Sequence, residues 1–118
     1  MRFLLDTNIL SALVRQPQGP IADHIVRVGE QNICTSIFVA AELRYGAAKR
    51  GFSQLTRQLE AVLGAVDVLA LESPADAVYG ELRARLERAG QTICANDLLI
   101  AAHALSLPHM HWRWVTPW

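Results

Sequence analysis

The sequence predicts an α/β domain built on a short parallel sheet flanked by helices. Three observations carry that expectation: short apolar runs alternate with amphipathic stretches, the connections between them are short, and each apolar run ends in polar residues that favour turns or helix caps. At 118 residues, 52% hydrophobic and 19% charged, the chain has the size of one packed domain and is too apolar for disorder. Its 11 basic and 11 acidic residues cancel, so no overall positive field draws in nucleic acid and any polyanion site must be local. No stretch approaches the roughly 20 apolar residues a bilayer crossing needs, and the N-terminus lacks a secretory pattern, so a cytoplasmic protein is expected.

Arg2-Phe3-Leu4-Leu5 reads as a strand that stops at Asp6-Thr7-Asn8, after which Ile9-Leu10 and Leu13-Val14 recur at helical spacing. Pro20 suits the first position of a helix running through Glu30. A second strand, Ile33 to Thr35, ends at Ser36, a natural cap for a helix from Ile37 to about Arg50 that closes at Gly51. Ser53 opens another amphipathic helix to Leu63, with Gly64 expected to break it. Val66 to Leu71 alternates enough for a third strand, and Ser73-Pro74-Ala75-Asp76 is a strong helix start, that helix ending at Gly90. Ile93-Cys94 then leads through Asn96-Asp97 into a last apolar helix, Leu98 to Leu107, stopped by Pro108. Cys34 and Cys94 sit in similar apolar contexts and read as reduced core thiols, with no zinc-type spacing.

Three acids break otherwise apolar or capping contexts: Asp6 after the first strand, Glu42 within Val39-Ala40-Ala41-Glu42-Leu43, and Asp97 ahead of Leu98-Leu99-Ile100. A buried carboxylate is costly unless it is paired or bound to a cation. Gathered at the carboxyl edge of a sheet, the three would form an oxygen-rich pocket suited to Mg²⁺ or Mn²⁺, a phosphate and an activated water. On spacing alone another account stands beside this one: Asp6 and Asp97 could simply cap helices, and Glu42 could pair with Arg44 or Arg50.

Three ordered motifs bear on the choice. Leu4-Leu5-Asp6-Thr7-Asn8-Ile9, then Thr35-Ser36 with Ala41-Glu42-Leu43-Arg44-Tyr45-Gly46-Ala47, then Asn96-Asp97-Leu98-Leu99-Ile100-Ala101-Ala102-His103-Ala104 resemble those of PIN-domain ribonucleases, in particular VapC-type toxins of bacterial toxin–antitoxin pairs. The resemblance spans residues 1 to 107 as one PIN domain and implies a three-layer α/β/α fold. It implies that Asp6, Glu42 and Asp97 are catalytic and bind a divalent metal, Mg²⁺ or Mn²⁺, and that Thr7, Asn8, Ser36 and Asn96 help to shape the site. It further implies an endoribonuclease whose RNA substrates include transfer RNA, acting as a homodimer neutralised by a cognate antitoxin. Positive charge for the RNA backbone could come from Arg44, Lys49 and Arg50, and from Arg83, Arg85 and Arg88, although such runs are more often a solvated face. His103, six residues past Asp97, points away from that acid on a helix and is expected to be a packing residue. Val62-Leu63, Leu82 and Leu86 could belong to a helical partner surface.

The chain departs from the family after Leu107. There the family continues through Gly into a further strand ending in a fourth acid, whereas residues 108 to 118 (Pro-His-Met-His-Trp-Arg-Trp-Val-Thr-Pro-Trp) contain no acid. Reading from the third base of the Leu107 codon one frame over, permitted codons give Ala-Ala-His-Ala-Leu-Ala-Leu-Gly. That nearly repeats Ala101 to Leu107 and adds the Gly the family has there. The tail therefore reads as an atypical, out-of-frame product of a short duplication, with the final strand missing. An alternative function follows from it: a catalytically impaired PIN-domain remnant that keeps only partner binding. A phosphoacceptor receiver domain would want a lysine late in the chain, and the only lysine is Lys49.

Overall fold

The computed structural model describes residues 2–108 and, as backbone, residues 110–113. His109 and residues 114–118, Trp114 and Trp118 among them, lie outside the described residues. In chain order the elements are β1 (Arg2–Leu5), α1 (Thr7–Arg15), α2 (Pro20–Val28), β2 (Ile33–Ser36), α3 (Ile37–Arg50), α4 (Ser53–Ala65), β3 (Asp67–Leu69), α5 (Ala75–Arg88), α6 (Ala95–Leu105) and β4 (Met110–Arg113). A single 3₁₀ turn, Glu30–Asn32, leads into β2.

The strands form one sheet in the order β3-β2-β1-β4, every pair parallel. A parallel sheet needs cover on both faces, and its central strands are accordingly well buried: Leu4, Leu5, Cys34, Thr35 and Ser36 have no exposed surface. From β1 the chain steps outward to β2 and β3 and then returns to the other side of β1. With right-handed crossovers, that reversal puts α1 to α4 on one face and α5 with α6 on the other. The packing agrees, since α1 touches α2, α3 and α4 while α5 packs along α6. This is the α/β/α layering that the sequence predicts. Where strand order reverses, the crevice beyond the carboxyl ends of the strands is the natural ligand position, and β1 ends there at Asp6.

Local chemistry sets the helix boundaries. The Asp6 carboxylate accepts from the Ile9 backbone N–H at 3.0 Å and so caps α1. Ser36 caps α3 by accepting from the Phe38 N–H at 3.0 Å, and Gly51 ends that helix at φ 75°. Several boundaries differ from the sequence expectation: α2 ends at Val28 rather than Glu30, β3 covers Asp67–Leu69 rather than 66–71, α6 ends at Leu105 rather than Leu107, and two further differences have a clear cause. Gly64 does not break α4, because Leu63 in the last turn and Leu59 one turn earlier are buried in the core, and packing there outweighs the roughly 1 kcal/mol glycine penalty. The last helix begins at Ala95 rather than Leu98, which moves Asn96 and Asp97 into its first turn.

Two further expectations are corrected. The final strand is not missing: Met110–Arg113 pairs in parallel with β1, Leu4 opposite Trp112 and Leu5 opposite Arg113. A ladder is made by backbone groups, so a segment delivered by α6 to the open edge of β1 can fill it without the family's side chains. Cys94, expected in the core, is exposed at the start of α6, while Cys34 is buried and its thiol is pushed up to about 11 by desolvation. Neither is in a disulfide.

Candidate active site

The three acids arrive from three elements. Asp6 stands at the junction of β1 and α1, Glu42 lies on the second turn of α3, and Asp97 lies in the first turn of α6. Asp6 is 5% exposed, and its pKa is raised from 3.8 to about 6, first by burial and further by the negative charge of Asp97. Backbone N–H groups of Ile9 and Asn8 work in the opposite direction. The site thus holds two like charges within electrostatic reach, one of them poorly hydrated.

Glu42 ties the elements together. Its Oε1 accepts from the Thr7 hydroxyl at 2.7 Å, and its Oε2 accepts from the Asn96 amide at 3.0 Å. Thr7 follows Asp6 and Asn96 precedes Asp97, so both neighbours of the other two acids hold the third. The alternative in which Glu42 pairs with Arg44 or Arg50 is not what the structure shows: Arg44 instead makes a two-pronged bond, 2.9 Å on each arm, to Glu60. Asn8 is exposed beside the site.

Ser36 serves differently from Thr7 and Asn96. It is fully buried, and its Oγ lies 2.8 Å from Nδ1 of His103, which is 1% exposed. His103 is a packing residue, as its helical offset from Asp97 predicts. Sequence reasoning missed this pair because nothing in the spacing of residues 36 and 103 signals contact. Burial lowers the His103 pKa, offset in part by the Ala70 carbonyl and the Glu72 carboxylate.

Most of the basic residues expected at an RNA face are engaged elsewhere. Arg83 bonds to Glu87 and to the Tyr79 hydroxyl, Arg85 pairs with Glu81, and Lys49 lies 6.0 Å from the centre of the Tyr45 ring. Arg50 and Arg88 make no ion pair among the described residues, and Arg50 lines a cleft with Glu42. A larger apolar cleft, about 440 Å³ and lined in part by Ala22, Ile25, Val26 and Val62, lies away from the acids. Leu63, expected as possible partner surface beside Val62, is buried in the core.

The donor set at the site is oxygen only, which suits a hard cation such as Mg²⁺. Among the described residues, no three Asp, Glu, His or Cys side chains form a ready-made cage. The three-carboxylate pocket expected from the sequence is therefore not assembled among these residues; Glu42 is held by Thr7 and Asn96, and Asp6 by its cap bond to Ile9.

Comparison with known proteins decides the family. The model of the PIN domain matches residues 3–107. The chain is a PIN domain of the VapC ribonuclease family. Ribonuclease VapC2 of Rickettsia felis is 33% identical over 108 residues, covering 90% of this chain and 81% of that protein. A tRNA(fMet)-specific endonuclease VapC of Shigella flexneri is 30% identical over 110 residues, covering 90% and 80%. The crystal structure of VapBC2 from Rickettsia felis, bound to a DNA fragment from their promoter, superposes with a TM-score of 0.83 at 32% identity over 90% of this chain and 82% of that one. The PIN-domain match stops at residue 107, where the shifted frame begins in the sequence reading.

Proposed function

We propose that this PIN domain is a divalent-metal-dependent endoribonuclease toxin that cleaves RNA, with transfer RNA as the substrate class to test first. In this reading Asp6, Glu42 and Asp97 hold Mg²⁺, with Mn²⁺ as the alternative ion, and a cognate antitoxin neutralises a homodimer in the cytoplasm. One observation carries it: Glu42 is bonded by Thr7 and Asn96, the direct neighbours of the other two acids, so the three elements that bear Asp6, Glu42 and Asp97 are tied together near the carboxyl end of β1. The raised Asp6 pKa supports it further, because a cation would relieve both the desolvation and the repulsion from Asp97. No helix among the described residues is long and apolar enough to cross a membrane.

The protein's own groups have definable tasks. The Thr7 hydroxyl and Asn96 amide fix the orientation of the Glu42 carboxylate, which would otherwise sample several rotamers. The Asp6 carboxylate is immobilised by its cap bond to Ile9. A divalent cation, when bound, supplies charge neutralisation at the phosphodiester and lowers the pKa of water. No nucleophilic side chain is required for hydrolysis of this kind.

The deciding experiment compares the wild type with Asp6→Asn on transfer RNA and on unstructured RNA, with Mg²⁺ and with chelator. Asparagine keeps the cap and removes the charge. Mg²⁺-dependent cleavage by the wild type, lost in the variant while the circular dichroism spectrum is unchanged, is the expected result. A folded wild type that leaves every RNA intact would instead favour the remnant reading, which the absence of any acid in β4 also supports.

A further inference from the structure

Glu42, Gly46 and Arg50 recur every four residues and so share one face of α3; Ser11 and Arg15 share one face of α1 in the same way. These two faces line one cleft of about 140 Å³ that opens beside the acid site, with Leu55 and Leu59 of α4 along its length. Its floor is small by composition. A Cβ added at Gly46 would meet nothing within 4 Å, so the middle of the cleft is open space.

The charges are arranged unevenly along it. Glu42 stands at one end, already satisfied by Thr7 and Asn96, while Arg15 and Arg50 each close the last turn of their helices at the other. Neither arginine makes an ion pair among the described residues, as is true of Arg27, Arg57 and Arg88; what sets Arg15 and Arg50 apart is that both line one cleft. Two uncompensated guanidinium groups facing one cleft repel each other and favour a shared anion between them. Along the axis of α3, eight residues separate Glu42 from Arg50 by about 12 Å, more than a single phosphate group spans.

We propose that Arg15 and Arg50 form a phosphate subsite that holds the RNA strand at a phosphodiester flanking the one to be cut. The proposal rests on the ribonuclease reading above and adds to it a path for the strand, along the α1–α3 cleft. The cleft ends at Glu42, so under the ribonuclease reading a strand held by the arginines would run toward the proposed cation site, which favours a phosphodiester over an acidic peptide.

Binding of a single-stranded oligoribonucleotide is measured by fluorescence anisotropy at several salt concentrations, and Mg²⁺-dependent cleavage of the same strand gives KM and kcat. Arg15→Gln and Arg50→Gln are each expected to raise KM several-fold, leave kcat within about twofold, and lower the salt slope by about one unit. Gly46→Leu, which narrows the cleft while keeping both arginines, is expected to raise KM as well. Arg27→Gln, on exposed α2, serves as the control and should change nothing. Unchanged KM and salt slope in both arginine variants, with cleavage intact, would overturn the subsite and leave the ribonuclease reading standing. A wild type that neither binds nor cuts the strand overturns both. Displacement of the RNA by an oligoglutamate peptide, dependent on the same arginines and at lower concentration than by RNA itself, would overturn the subsite in favour of a protein ligand.

Discussion

Nδ1 of His103, on α6, lies 2.8 Å from Oγ of Ser36, the N-cap of α3, and both side chains are buried. The bond fastens the helix that carries Asp97 to the first turn of the helix that carries Glu42. It therefore acts beneath the acid cluster, setting the relative position of two elements whose outer residues, Asn96 and Glu42, bond at 3.0 Å.

Removing either partner leaves the other polar and buried. Ser36→Ala and His103→Phe are each expected to cost about 1–3 kcal/mol, and the double variant should cost less than their sum by about 1 kcal/mol. Urea denaturation of the four proteins measures this. Strict additivity would show that the two side chains do not support each other.

Thr7→Val keeps the shape of the residue and deletes the hydroxyl that holds Glu42. A hydrogen bond to a charged group is worth about 1.5–3 kcal/mol, so if the bond matters only for orientation, RNA cleavage should fall on the order of tenfold to a hundredfold with little change in melting temperature. Equal cleavage by the variant would remove Thr7 from the site.

The Asp6 pKa of about 6 gives a pH signature in metal-free protein. The folded chain holds the Asp6 proton more tightly than the unfolded chain, whose carboxyl titrates near 3.8. Between those values the folded state binds more protons, so the stability contribution of this group falls as pH rises from about 4 to 6 and is flat above. The thermal midpoint of the wild type relative to Asp6→Asn should follow that course, and added Mg²⁺ should raise the wild type alone at pH 7. A constant difference across the window would mean that burial does not perturb this carboxyl.

Ending the chain at Pro108 would strip β4 from β1 and expose the backbone groups of a central strand. The shortened protein should melt several degrees lower and aggregate sooner, because β1 would become an edge. Restoring the reading frame after Leu107 should raise cleavage above that of the present tail, since by the family resemblance it adds a carboxylate to the strand beside Asp6. Indistinguishable melting of the chain with and without residues 109–118 would show that the β4 pairing contributes nothing in solution.

The alternation of apolar runs with amphipathic stretches determined the layered parallel fold. Cap chemistry at Asp6 and Ser36 was equally legible, because capping depends on residues within one turn. The three acids are each conspicuous against apolar neighbours in the sequence, but spacing does not say whether their carboxyl groups meet. Contacts across the chain were not legible in that way. The bonds from Thr7 and Asn96 to Glu42 span 35 and 54 residues, and the Ser36–His103 bond spans 67. Only the folded sheet brings such residues together, since no local periodicity encodes which helix faces meet. The same holds for the charges. Sequence placed Arg44, Lys49, Arg50, Arg83, Arg85 and Arg88 together as candidates for RNA, and the tertiary structure gives Arg44, Arg83 and Arg85 acid partners while placing Arg50 in a cleft with Arg15. The tail shows the converse limit: its side chains carry no pattern of the family, yet the open backbone of β1 recruits it as a strand. Pairing needs only main-chain donors and acceptors at the right place, and that place is set by α6, not by the residues that follow it.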